Sequence, residues 1–194
     1  TLFILAKNEV LGPMPTFDEL ENPKTNLATQ IYSADGVVLG TYFIENRTYL
    51  SYEQLFPVNR DMWLTIDGHT LPPIVAALLA TEDVRFTEHS GIDARALVRA
   101  IVKTGLLRQA SSGGGSTLSQ QLAKQLYTEV RAKNKFERMM QKPIEWVIAV
   151  QLERYYTKEE ILTLYLNKLD FLYNAIGIKM ASNTYFSKEP KDLS

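Results

Sequence analysis

The chain contains no cysteine. That excludes disulfides, thiolate nucleophiles and cysteine-ligated zinc. Only two histidines occur, His69 and His89, too few for a histidine-rich metal centre. No apolar run reaches the ~18 residues that a complete membrane span needs. The longest, Ile74 to Ala80, is followed closely by Glu82. An excess of one charge is missing too. The net charge is -1, so no global basic field points to nucleic acid, and anion binding must come from local clusters. Low complexity is confined to the serine-glycine run at 111–116, and no internal repeat is visible.

What is present is ordinary globular material. Hydrophobic residues make up 45% and charged residues 22% of 194, enough to bury a core in one domain with room for a small appendage. Thr1-Leu2-Phe3-Ile4-Leu5-Ala6 fits the stub of a removed signal or anchor helix as well as a plain chain start. Residues 7–26, with Pro13, Pro15 and Pro23, read as an irregular lead-in. Two β-rich runs, 28–33 and 37–44, flank Asp35-Gly36 and predict a hairpin. Residues 47–70 are mixed, with Pro57 and Gly68 as breakers. A lead-in of 1–70 is therefore expected, followed by a separate domain over 71–194 that lacks its C-terminal continuation.

From Leu71 the pattern becomes helical. Pro72 and Pro73 suit a first turn, with Ile74, Ala77, Leu78 and Thr81 on one inward face and Ser90-Gly91 as the stop. Asp93 can cap a second helix with Leu97, Val98, Ile101 and Val102 inward, ended by Gly105. Thr117 and Gln120 have capping-box spacing before Leu118, Leu122 and Leu126. Residues 128–141 are charged without a clean apolar face. Pro143 fits the first turn of a helix burying Ile144, Val147, Ile148 and Leu152. Thr157 and Glu160 form another capping box before Ile161, Leu162, Leu164 and Tyr165, and a last helix is expected over 175–183. One hairpin and about six helices make a mostly α domain.

Three segments could carry chemistry. Glu82-Asp83 ends an apolar helical face, with Phe86 and His89 expected on the same side. A carboxylate beside an apolar wall suits a general base, although taken alone it reads as an ordinary solvated helix end. Gly113-Gly114-Gly115-Ser116 precedes a helix whose amides and dipole attract anions, with Gln120, Gln121 and Lys124 on its polar side. It is not a Walker loop, because no Gly-Lys-Ser/Thr follows at the required spacing. Alone, it reads equally as a flexible loop with a well-capped helix. Lys142 and Glu145 share one face near a helix start, with Arg131, Lys133, Lys135 and Arg138 upstream, which suits a di-anion. A solvated basic loop is the plainer reading. Together, two carboxylates, two anion-suited helix starts and several cations fit displacement of a phosphate leaving group by an alcohol. The alcohol needs a base, and the departing diphosphate needs cations or donors.

In order and spacing these segments resemble the peptidoglycan glycosyltransferases of glycosyltransferase family 51, which occur in class A penicillin-binding proteins and as monofunctional transglycosylases. Glu82-Asp83-x-x-Phe86-x-x-His89-x-Gly91 looks like the first motif, and Gly114-Gly115-Ser116-Thr117-Leu118-Ser119-Gln120-Gln121-Leu122-Ala123-Lys124 like the second. Lys142-x-x-Glu145 resembles the third. The stretch from Tyr156 to Asn167, Ala175-x-Gly177 and Tyr185-Phe186-x-Lys188 continue the likeness, which covers residues 71–190. The hairpin with Asn46-Arg47 looks like the usual lead-in.

The resemblance implies a lysozyme-like, two-lobed helical domain with the small hairpin, acting on lipid II. Glu82 would deprotonate the acceptor 4-hydroxyl. That oxygen would attack C1 of the growing chain with inversion, giving a β-1,4 link and releasing undecaprenyl diphosphate. Lys142 and Glu145 would sit at the diphosphate. Ser116, Thr117, Gln120, Gln121 and Lys124 would hold diphosphate and sugar, while Asp83, Phe86, His89 and Gly114 would support Glu82. The family often has Arg-Lys where this chain has Gln141-Lys142, and some members have Lys at Ile144. Arg138 and Arg131 are therefore further candidates for the diphosphate. No cofactor is required, and a divalent metal (Mg or Mn) could act at Glu145. The implied partners are lipid II, the growing glycan, a membrane surface and a transpeptidase domain on the same full-length chain, with no nucleic acid. The implied location is the outer (periplasmic) face of the bacterial inner membrane. A lysozyme-like glycan-cleaving enzyme and a non-catalytic lipid-diphosphate-binding module are the alternatives.

Overall fold

The structure is a computed structural model. It describes residues 14–16, 19, 29–42, 49–57, 61, 63–66, 68–102, 115–127, 135–173 and 175–193. Among these lie two hairpins and seven α-helices, so the domain is mostly α. The strands are β1 (Thr29–Tyr32), β2 (Val38–Tyr42), β3 (Leu64–Ile66) and β4 (His69–Leu71). The helices are α1 (Tyr52–Leu55), α2 (Pro73–Glu82), α3 (Ala94–Ile101), α4 (Leu118–Tyr127), α5 (Lys135–Tyr155), α6 (Lys158–Lys168) and α7 (Ile178–Phe186). The chain forms two compact units, one of residues 1–23 and 63–161, the other of 24–62 and 162–194.

In the first unit, β3 and β4 pair antiparallel around Gly68, whose φ is +81°. This second hairpin has the same Asp-Gly signature as the first, but three-residue strands are too short to show alternation. Helix α2 follows directly from Pro73. It buries Val75, Ala76 and Leu79, not the expected row of Ile74, Ala77, Leu78 and Thr81. The segment is apolar nearly all round, so periodicity could not choose the face.

Helix α2 also stops sooner than expected. Glu82 is its last residue, Asp83 leaves the helix at φ -155°, and Phe86–Glu88 forms a separate 3-10 turn. Asp93 caps α3 as expected, accepting from the Ala96 amide at 2.9 Å. Yet α3 presents Ala96 to the interior, while Val98 and Val102 are exposed.

Helix α4 packs along α5, with Leu118 and Leu122 fully buried against the layer of Ile144, Val147, Ile148 and Leu152 that periodicity predicted. Helix α5, however, begins at Lys135 and carries Pro143 inside it. Proline removes one main-chain donor and crowds the preceding turn. The helix continues through it because Ile144, Val147 and Ile148 just beyond are buried, and their burial outweighs the one lost hydrogen bond.

The second unit holds β1 and β2, paired with a register shift at Ile31/Tyr32, then α1, most of α6, and α7. Ser51 and Gln54 form a full capping box on α1. Thr157 and Glu160 exchange the hydrogen bonds expected at the start of α6. The last helix is shifted three residues beyond the expected 175–183.

Asn167, buried on α6, acts as a staple in this unit. Its side chain accepts from the Leu50 amide at 2.7 Å and donates to the Leu50 and Thr163 carbonyls, each at 2.8 Å. Leu50 is itself buried, so water cannot replace these bonds. Asn167→Ala should cost about 2–4 kcal/mol, since each buried polar group left unpaired costs about 1–3 kcal/mol. Urea unfolding checks this, and a change below about 1 kcal/mol would show that Leu50 finds other partners.

Candidate active site

The site is built around the turn that leaves α2. Pro72 and Pro73 start that helix, its buried face anchors it, and its final residue, Glu82, is exposed. Gln121 on α4 donates from Nε2 to Glu82 Oε2 at 3.0 Å. Together they belong to the wall of a cleft of about 600 Å³, whose other lining includes Arg85, Arg99, Gly115 and Ser116. The cleft therefore joins the end of α2 to the start of α4.

Asp83 also borders the cleft but is buried. Its carboxylate sits 3.0 Å from His89 Nε2 and accepts from the Leu118 amide at 3.0 Å. The start of α4 thus already holds an internal anion, matching its dipole. The capping box expected there is half made. Thr117 Oγ1 accepts from the Gln120 amide at 3.2 Å, while the Gln120 side chain turns to the Gly91 carbonyl at 3.2 Å. Thr117 donates to the same carbonyl at 2.7 Å. Thr117 and Gln120 are buried, Gln121 is half-buried and Lys124 is exposed, so Gln120, Gln121 and Lys124 do not form one open face.

Phe86 is fully buried and meets the His89 ring edge-on at 5.9 Å. With α2 ending at Glu82, neither residue shares its helical face. Sequence periodicity carried that helix too far because nothing local marks Asp83 as the stop.

Lys142, on α5, reaches back to α4. Its ammonium donates to Ser116 Oγ at 3.2 Å and to Glu145 Oε2 at 2.7 Å. Glu145 is 3% exposed, and a buried carboxylate requires such a partner. Lys142 keeps 40% of its side chain in solvent. With three donors and two of them engaged in these bonds, its charge can meet a ligand at the Ser116 end of the cleft. Arg131 and Gly114 lie outside the described residues. Arg138 lies on α5, with its side chain outside them.

Arg85 and Asp93 were not among the expected site residues. Both line the cleft. The guanidinium donates twice to Asp93 Oδ2, from Nε at 3.0 Å and Nη2 at 2.5 Å. Burial opposes the charge on Asp93, but the Ala96 amide and Arg85 outweigh it and hold the carboxyl below the usual range. Arg99 is the other unanticipated cation in the lining. Asp93 had been expected only as the cap of α3, and Arg85 and Arg99 were visible only as polar positions of a turn and an amphipathic helix. No group of three or more potential metal ligands occurs among the described residues. Glu145 supplies one carboxylate, already paired with an ammonium, whereas a hard divalent cation needs about six oxygens. These side chains alone do not build a metal site.

An exposed carboxylate at Glu82, and a lining serine bonded to the ammonium of Lys142, make the cleft suited to an enzyme domain that transfers a group. Comparison with known proteins names the family. The Transglycosylase family model matches residues 46–194, and the chain belongs to that family, as a peptidoglycan glycosyltransferase domain. It is 33% identical over 181 residues to penicillin-binding protein 1A of Escherichia coli (strain K12), covering 93% of this chain and 19% of that protein. It is 34% identical over 167 residues to penicillin-binding protein 1F of Bacillus subtilis (strain 168), with 86% and 20% covered. Penicillin-binding protein 1A of Aquifex aeolicus (strain VF5) is 33% identical over 191 residues, with 93% and 23% covered. The chain spans about a fifth of the length of these curated relatives.

Proposed function

We propose that this domain polymerises lipid II into β-1,4-linked glycan strands, by inverting transfer with release of undecaprenyl diphosphate. The observation that carries the reading is the shared cleft, where Gln121 holds Glu82 on one side and Ser116, bonded to Lys142, lines the other. Glu82 takes the proton from the acceptor 4-hydroxyl as that oxygen attacks C1 of the growing chain. A diphosphate leaves without needing a proton, so the ammonium of Lys142 balances the charge that develops on it. Buried Glu145 keeps Lys142 aimed at that end. Ser116, Gln121 and Lys124 are proposed to bind sugar and diphosphate. Thr117 and Gln120 act one step back, by holding the Gly91 carbonyl. Arg131 and Arg138 remain candidates for the diphosphate.

The substrate is a membrane lipid, so the domain is proposed to work at the outer face of the inner membrane. Among the described residues no helix is long and apolar enough to cross one. A transpeptidase domain on the full-length chain is proposed from the names of its relatives, which are penicillin-binding proteins.

Incubation of the full-length protein with labelled lipid II tests the reading. Elongated glycan is expected. Release of soluble fragments from finished peptidoglycan, without elongation, would establish a hydrolase instead. Lys142→Met should lower kcat/KM about 10- to 150-fold, because a hydrogen bond to a charged group contributes about 1.5–3 kcal/mol. Lys142→Arg should retain most of the activity. Equal rates for Lys142→Met and the parent would remove Lys142 from the diphosphate site.

A further inference from the structure

We propose that Lys158, at the start of α6, is a positioning residue for Glu82; the inference rests on the reading of Glu82 as the base. Glu82 is the last residue of α2, so its direction depends on the turn that follows. That turn is held at residue 89 from two sides. Asp83 holds the His89 ring. Lys158 holds the His89 main chain, its Nζ donating to the carbonyl at 2.6 Å from 69 residues away. The same ammonium lies 4.3 Å from the centre of the Phe86 ring, a favourable cation–π placement. Turn residues on both sides of Thr87 and Glu88 are therefore set by one charge.

That charge is itself tied to α4. Lys158 pairs with Glu153 at 2.7 Å, and Glu153 accepts from Ser119 Oγ at 2.5 Å. The Glu153 side chain is 5% exposed and that of Lys158 25%. Ser119 lies one residue from Leu118, whose amide holds Asp83, and two from Gln121, whose side chain holds Glu82. Helix α4 thus grips Glu82 directly, and grips the turn behind it through Glu153 and Lys158. A buried ion pair is a weak source of stability, and apolar residues of similar volume often replace one without loss. What an apolar pair cannot supply is the donor to the His89 carbonyl. The ammonium is therefore needed where the direction of Glu82 is decided.

The test uses the full-length protein and labelled lipid II. Lys158→Met keeps the length of the side chain and its contact with Phe86 but removes the donor. It should lower kcat about 10-fold or more, with KM within about twofold, since a misplacement of about 1 Å can cost about 100-fold. Lys158→Met with Glu153→Met also removes the stranded carboxylate. That variant should regain thermal stability without regaining kcat. Lys158→Arg, which can still donate to the carbonyl, should recover part of kcat. Two outcomes overturn the proposal: a Lys158→Met protein with unchanged kcat per folded molecule, or a double variant that regains kcat together with stability. Glu82→Gln is run beside them. If it polymerises at the parent rate, the base assignment itself has failed; if it is inactive while Lys158→Met is fully active, only the positioning role has failed.

Discussion

Glu82→Gln should stop glycan growth, with turnover falling about 10²- to 10⁴-fold, the range that a positioned general base contributes. The substitution is chosen because it keeps the shape of the cleft wall. A glutamine at this position can still present an oxygen to Gln121 Nε2, which now sits 3.0 Å from the carboxylate. What it loses is the ability to accept the acceptor's hydroxyl proton. Lipid II binding should survive, because Lys142 and Ser116 are untouched. Single-turnover polymerisation separates the two steps: the variant should saturate with substrate near the parent concentration and elongate little. Parent-like elongation would show that another group takes the proton, while lost binding would show that Glu82 holds substrate instead.

Gly91→Ala should destabilise the domain by about 2–6 kcal/mol, for two reasons that add. Gly91 has φ +91°, where a residue with a side chain is strained by roughly 1–3 kcal/mol. A Cβ there would also stand 2.8 Å from the carbonyl carbon and oxygen of Ala149 and 2.9 Å from the Val150 nitrogen. These are main-chain atoms of α5, which cannot rotate aside, and overpacking of this kind costs typically 1–3 kcal/mol. Activity should fall as well, because the Gly91 carbonyl receives both Thr117 and Gln120, and any shift there moves the turn behind Glu82. Gly68→Ala separates the two causes. Its φ is +81°, but no atom lies within 4 Å of the added Cβ, so it should cost only the backbone strain of roughly 1–3 kcal/mol. Equal losses for the two variants in urea unfolding would remove the α5 contact as a cause.

Much of this is legible in the amino-acid sequence. The faces of α4 and α5, the caps at Asp93 and Thr157, and the hairpin at Asp35-Gly36 follow from local periodicity and turn chemistry, and they appear as expected. Other features did not follow. Helix α2 is too uniformly apolar for its inward face to be read. Val98 and Val102 looked like core and are exposed, because a 3.6-residue stripe says that a face is apolar without saying what covers it. Pro143 looked like a helix start and lies inside one.

The site divides the same way. Residue type and order along the chain determined which groups are available to the proposed chemistry: a carboxylate at position 82, a lysine and glutamate at 142 and 145, and a serine at 116 before a helix. These are chemical identities, and sequence carries them directly. Only the tertiary structure decided what each group touches. It turned Asp83 inward to the start of α4, gave Glu82 to Gln121, and brought Lys142 back to Ser116 across 26 residues. It also bonded Lys158, 69 residues from His89 in sequence, to the turn that follows α2. Hydrogen bonds between distant segments leave no local pattern, because each partner alone is only one more polar residue on a helix or turn.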